Sequence, residues 1–270
     1  MEGLATFRHM DAYSKEHAED TARLMTLVER ETGYRVTVGT AEIENADAEM
    51  VSAAPSHPAH MIKVSTRCLP VADYIVASQC VIILTLWSHP QGVPMFRTVP
   101  EKVDYAVRKA ANHRGLAKQP AGMAEQVASS LVAGLLHQLR STPVEIAAVD
   151  YCHRECPGLR DLQIDAMTRN LRRNSGSLMP AIREMAPPDI WTHSQIMCAA
   201  LAKAWCGLSG SDAAMLPYKA IGVETKAQKF LNLWRDSRGA LGEQYVQTVD
   251  DWAVELGLKS LYTWEFRARQ

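Results

Sequence analysis

The stretch that decides the reading of this chain is "ADYIVASQCVIILTLW", Ala72 to Trp87. It is apolar almost throughout, with Ser78 and Gln79 as the polar interruption at its middle. The apolar run from Tyr74 to Trp87 is too short to cross a bilayer and contains Ser and Gln, so a buried core helix is expected. Pro70, just upstream, suits a helix's first turn, where its missing N–H costs nothing. A core helix keeps polar residues for a reason, so Ser78 and Gln79, followed by Ile82, are the first candidates for a pocket wall.

Upstream, residues 14–32 read as an amphipathic helix. Ser14 is the expected N-cap, His17 and Glu19 fall in the first turn, and Leu24, Leu27 and Val28 form the inward stripe. Three segments rich in Val, Ile and Thr follow, "YRVTVGTAEI", "EMVSAAP" and "HMIKVST", broken by the turn chemistry of "SHP". From Pro100 onward helices are expected over 101–113, 121–140, 143–155, 159–173, 189–206, 223–235 and 240–256, then a short aromatic C-terminal piece. The intervening loops are "GLAKQPAG", "NSGSLMP", "MAPPD" and "GLSGSD". The expected fold class is α+β and predominantly helical: a small N-terminal sheet, a buried central helix, then a helical C-terminal portion. One domain over 1–270 is expected, with an α/β subregion 1–99 carrying the central helix 70–87 and a helical subregion 100–270.

Composition narrows the function. At 47% hydrophobic content, 270 residues can bury a sizeable core. The 29 basic and 30 acidic residues are well mixed, which argues against a general nucleic-acid face. Arg169, Arg172 and Arg173 read as the solvated side of a helix. The N-terminal segment has no apolar core of a signal peptide, so a soluble, cytoplasmic protein without membrane association is expected, its six cysteines as thiols. In "CHREC", Cys152 and Cys156 stand four apart, with no second pair at zinc-ribbon spacing.

The order helix, small sheet, buried helix is similar to that of the zinc metallopeptidases whose buried helix bears H-E-x-x-H. There two histidines on one helical face hold the metal and the Glu between acts as base. "DYIVASQCVIIL" resembles the "DY-[IV]-[IV]-A-H-E-C-G-H-I" phrasing of a bacterial family of such peptidases. "GLLHQLRSTPVEIAAVDYCHRECPGLRDLQ" resembles that family's segment around the third metal ligand and its "P-x-L-R-x-x-Q". "YVQTVDDWAVELGL" is similar to a stretch near its C-terminus. The resemblance covers roughly residues 70–165 and 245–258, and implies a zincin-like arrangement. Carried over by position, Ser78 replaces the first His, Gln79 the base, Ile82 the second His and Val149 the third ligand. Ser, Ile and Val do not hold Zn²⁺, and Gln takes no proton at neutral pH. The resemblance therefore implies a metal site that has been dismantled. The plain alternative is that Ser78 and Gln79 are ordinary helix residues, with Ser bonding back to a carbonyl.

Without a metal, surviving reactivity has to come from sulfur and imidazole. With Val149 at the old ligand position, Glu145, Cys152 and His153 share or adjoin its face. Cys152 is the expected nucleophile, His193 in "DIWTHSQIMC" its base and Glu145 the orienting carboxylate. His137 and His89 are alternative bases, and His153 a further reserve. Cys80 is about 200° round the helix from Ser78 and reads first as a small core residue. Cys68 precedes the central helix, whose N-terminus favours a thiolate. In outline the chain also resembles the carrier-protein-dependent amide-forming enzymes of lincosamide antibiotic biosynthesis. That resemblance implies an acyl carrier protein as partner, a phosphopantetheine-bound acyl donor as substrate, an aminosugar-type amine as acceptor and no resident cofactor. Two other readings stay open: a non-catalytic pseudopeptidase that binds peptide or protein, and a module whose cysteines respond to oxidation.

Overall fold

A computed structural model describes residues 11–12, 17–44, 46–120, 122–237 and 242–269. The chain falls into two compact units. The first runs to Trp87 and recruits Ala148–Thr168; the second comprises Ser88–Ala147 and Arg169–Arg269. Residues 88–99 fall in the second unit, and two helices, at 123–155 and 160–175, give residues to both units.

The first unit opens with β1 (Asp11–Ala12), α1 (Glu19–Thr32), β2 (Arg35–Ala41), β3 (Ala48–Val51) and β4 (Ala59–Ser65). A 3₁₀ segment, Thr66–Val71, then leads into α2 (Ala72–Trp87). The four strands order as β1-β2-β4-β3. β2 and β4 are parallel, Val36 opposite His60 and Val38 opposite Ile62, while β3 is an antiparallel edge with Glu49 opposite Lys63. Leu24 and Val28 are fully buried on α1, as the apolar stripe requires, and Leu27 is half-buried. Ser14, the expected cap, lies outside the described residues. Asp73 serves α1 from a distance: its carboxylate accepts from Ala18 N at 3.4 Å and pairs with His17 Nδ1 at 2.8 Å. The Asp73 carbonyl also accepts from Thr21 Oγ1 at 3.1 Å. This buried knot fixes the start of α2 against the start of α1. Replacing Asp73 by Ala takes the carboxylate away from the half-buried His17 and Ala18 N–H and leaves the Thr21 bond to the backbone, a loss of about 1 kcal/mol.

The second unit begins with β5 (Val93–Thr98) and α3 (Pro100–Ala111). α4 (Met123–Glu155) follows, giving its residues up to Ala147 to this unit and the rest to the first. Then come α5 (Arg160–Ser175), whose residues up to Thr168 belong to the first unit, α6 (Pro180–Met185), α7 (Pro188–Ser209), α8 (Leu216–Ala220), α9 (Glu224–Asp236), α10 (Glu243–Glu255) and β6 (Tyr262–Arg267). Arg169, Arg172 and Arg173 lie exposed on α5. Two expectations change. The helices placed at 121–140 and 143–155 are one, with Pro143 inside it. Proline removes a helical donor and crowds the preceding turn. Here side-chain donors hold that turn: Trp234 Nε1 to the Pro143 carbonyl and Tyr245 OH to the Arg140 carbonyl, both at 3.0 Å. The aromatic tail is a strand, not a helix. Its alternation puts Tyr262 inward and Thr263 outward, and it pairs antiparallel with β5, Phe96 opposite Trp264.

Candidate functional site

Most of α2 is buried, as its composition demands, although Thr66–Trp87 is by length and apolarity a match for a membrane span. The half-exposed positions are Ser78, Gln79, Ile82, Leu84 and Leu86. Relative to Ser78, Ile82 lies about 40°, Leu86 about 80° and Gln79 about 100° round the helix, so four of the five share one face. That open face is the one the peptidase resemblance singles out. Ser78 Oγ donates back to the Ile75 carbonyl at 2.8 Å, the local bond that serine makes inside helices. Val149 is buried on α4. These side chains offer no zinc donor. Among the described residues no three His, Cys, Asp or Glu side chains are grouped to hold a metal ion. Ser, Gln, Ile and Val at these positions do not fit zinc, which needs imidazole, thiolate or carboxylate donors.

The end of α4 is built differently. "PGLRDLQ" turns at a 3₁₀ segment, Pro157–Leu159, and folds back on the helix it has just left. Gln163 Nε2 donates to the Val149 carbonyl at 2.8 Å, and its Oε1 lies 3.3 Å from His153 Nδ1. Arg160 Nη1 reaches His153 Nε2 at 3.2 Å. His153 is therefore occupied in the fold-back and stands as a latch. Across from it, Cys152 and Cys156 sit one turn apart, 1% and 0% exposed. The Cys156 N–H donates to the Cys152 carbonyl at 3.1 Å, and the two thiols lie close enough to couple electrostatically. α1 covers the pair: Arg23 Nη2 reaches Cys156 Sγ at 3.8 Å, the Glu155 carbonyl at 2.6 Å and Asp20 Oδ1 at 3.1 Å. Asp20 Oδ2 accepts in turn from Gly158 N at 2.9 Å. Gly158 is needed there, because a Cβ would stand 3.0 Å from that oxygen.

This geometry separates the two sulfurs. Cys156 is drawn below the ordinary thiol value, first by the Cys152 hydrogen bond and further by the Arg23 guanidinium, against burial and the Asp20 carboxylate. Cys152 is pushed well up, first because its proton is engaged by Cys156 and then by burial. Of the six cysteines, the other four are also shifted up, burial coming first in each case. Cys80, fully buried, is pushed up to about 12 by burial and then by Glu29, and itself helps to raise Cys152. Cys68, for which a helix N-terminus promised a thiolate, is shifted the other way. It is enclosed and donates to Asp47 Oδ1 at 3.4 Å, which favours the protonated thiol.

The expected triad is not assembled within either unit. Cys152 belongs to the first unit, Glu145 and His193 to the second. Glu145 instead acts on Cys198, whose sulfur accepts from Gln138 Nε2 at 2.9 Å and is faced by Ser194 and Tyr218. Among the described residues the enclosed Tyr218 hydroxyl has no well-aligned hydrogen-bond partner, and Cys198 is its electrostatic neighbour. His193 is half-buried on α7 and pulled down by burial, with Asp189 and Lys226 as charged neighbours. His89 stacks on Phe266 at 4.6 Å between centroids, and His137 lies 3.4 Å from Arg140 Nη2. Sequence reading missed Cys156 and Arg23 as site residues. The i,i+4 spacing in "CHREC" was the available signal for the first; Arg23 had none.

No protein family, curated protein or solved structure matches the chain.

Proposed function

We propose that this chain carries out metal-independent, thiol-dependent acyl transfer on a remodelled, zincin-like metallopeptidase scaffold. It would join an acyl group from a carrier-bound thioester to an amine, with Cys156 as the attacking sulfur. The observation that carries the reading is the Cys152–Cys156–Arg23 arrangement, which favours a thiolate at Cys156 where the other five thiols are held protonated. The zincin-like part is supported by element order in the first unit: α1, a small sheet, the buried α2 with one open face, and the end of α4 returning beside them. Cys152, expected as nucleophile, takes the donor's part instead. The Cys156 sulfur adds to the thioester carbonyl, the carbon–sulfur bond to the carrier breaks, and the carrier's thiolate leaves. The acceptor amine then attacks the new thioester, Cys156 leaves as thiolate, and the amine's proton passes to sulfur. Arg23 has to swing aside, which its half-exposed guanidinium permits.

The test is an acyl-N-acetylcysteamine thioester incubated with the full chain. Mass spectrometry should find the acyl group on the tryptic peptide 155–160, and adding a primary amine should discharge it as amide. Cys156→Ala should abolish the adduct while Cys198→Ala keeps it. An adduct on no cysteine rejects this reading.

A second reading, a non-catalytic pseudopeptidase that binds an extended peptide, is favoured by a different observation. The open face of α2 presents Ser78, Gln79, Ile82 and Leu86, none of them an acid or a base, and among the described residues β3 is an edge strand of its sheet. Binding of casein-derived peptides that Ile82→Asp removes, with no acyl adduct, would select it.

A further inference from the structure

We infer that Cys152 and Cys156 form a peroxide-responsive dithiol which closes to an intramolecular disulfide beneath Arg23. The inference is independent of acyl transfer: its chemistry needs the two sulfurs and an oxidant of the hydroperoxide class, and no substrate.

Three features of the site carry it. The two thiols are neighbours one helical turn apart, tied at the backbone by the Cys156 N–H on the Cys152 carbonyl at 3.1 Å. Cα atoms four apart on a helix are roughly 6 Å apart, inside the range that disulfides span, but their Cβ atoms must come closer than a regular turn allows. Cys156 has already left helical geometry, with φ −127° and ψ 64°, so the closing movement falls on a residue that is not locked in the helix. Finally, Arg23, one of the side chains over Cys156, has a half-exposed guanidinium, so its movement opens a path for a small oxidant.

The reaction runs in two steps. The Cys156 thiolate attacks one peroxide oxygen; an S–O bond forms, the O–O bond breaks, and the departing hydroxide leaves as water once protonated. The Cys152 sulfur then attacks the sulfenic sulfur; the S–S bond forms, the S–O bond breaks, and the hydroxide leaves with the Cys152 proton as a second water. Each sulfur is oxidised by one electron and the peroxide takes both. Closure pulls on the turn that Arg23 and Asp20 clasp through the Glu155 carbonyl and the Gly158 N–H, so oxidation loosens the junction between α1 and the fold-back.

Trypsin supplies a clean readout, because it cuts after Arg154, between the two cysteines. The reduced full chain is treated with hydrogen peroxide, capped with N-ethylmaleimide and digested without reductant. Peptides 141–154 and 155–160 should appear linked before any other cysteine is oxidised, and should separate on reduction. In Cys152→Ser, the sulfenic acid should persist and be trapped by dimedone on peptide 155–160. The inference is overturned if the two peptides stay separate while Cys68 or Cys206 oxidises. It is equally overturned if they stay separate at peroxide levels that oxidise free cysteine, or if Cys156 passes to sulfinic acid without linking. The wild-type chain alone decides this, whether or not the variant folds. Failure here leaves the acyl adduct test untouched, since that adduct needs Cys156 alone.

Discussion

Cys198 in the second unit and Cys156 in the first are both enclosed sulfurs with hydrogen-bond donors aimed at them, yet they move in opposite directions. Cys198 receives a side-chain amide, a phenol and a hydroxyl, all neutral, and has Glu145 nearby; burial wins and pushes it up to about 11. Cys156 receives the proton of a second thiol and the fork of a guanidinium, and is drawn below its usual value despite Asp20 and Glu155. At Cys198 burial outweighs the neutral donors, whereas at Cys156 the Cys152 hydrogen bond, with Arg23 behind it, outweighs burial and two carboxylates.

The largest expected effect is a direct contrast between the two. With limiting iodoacetamide near pH 7.5, alkylation read by peptide mapping should favour Cys156 over Cys198 by at least about a hundredfold, because thiolate fraction falls tenfold for each unit of acidity lost. Equal rates would dissolve the contrast.

Next, the two causes at Cys156 can be ranked. Cys152→Ala removes the first and should slow Cys156 alkylation by about tenfold, its pH profile moving to more alkaline values. Arg23→Gln should move the profile the same way by a few-fold, since Asp20 opposes Arg23 and is released with it. A larger effect from Arg23 than from Cys152 would reverse the ranking.

Stability against pH gives a third and broader measure. Cys80 and Cys198 keep their protons to about 12 and about 11 when folded, whereas unfolded thiols release theirs near the ordinary value of 9.0. Their contribution is fully present below pH 9 and is lost as pH rises from there through the folded values, because the folded chain then holds more protons than the unfolded one. Urea midpoints should fall steadily from pH 9 upward, and less so in a Cys80→Ala, Cys198→Ala chain. His89, His137 and His193, pulled down by burial, give the acid counterpart: stability present above pH 6.5 and lost as pH falls through their lowered folded values.

These contrasts also mark what the sequence could carry. The helix at 72–87, the three Val-rich strands and the Leu24/Val28 stripe were legible because periodicity and burial are local. Pro143 read as a helix break because the donors that hold its turn, Trp234 and Tyr245, are 91 and 105 residues away from the carbonyls they bond. The tail "LYTWEF" alternates as a strand should, but its partner β5 is far upstream. At the site, the end of α4 was found and its partners were not. Glu145 and Cys152 were grouped by face on one helix and His193 was added from another, whereas the fold gives Glu145 to Cys198 and gives Cys156 an arginine from α1. Spacing marked the thiol four residues away, but an electrostatic partner brought in by tertiary structure, such as Arg23, leaves no trace in it.

The smallest effect tests whether the clasp, and not the dithiol alone, sets Cys156 apart. A methyl group at Gly158 meets Asp20 Oδ2 at 3.0 Å, so Gly158→Ala should push that carboxylate aside without touching either sulfur. One exposed hydrogen bond, Gly158 N to Asp20, is strained or lost, and the chain should be destabilised by about 1 kcal/mol or less in urea titration. Asp20 holds Arg23 from one side while raising the Cys156 thiol from the other, so its displacement works in both directions at once. The alkylation rate at Cys156 should therefore change by less than about threefold. A tenfold change with unaltered stability would mean that Asp20, through its grip on Arg23, sets the sulfur's acidity more strongly than the neighbouring thiol does.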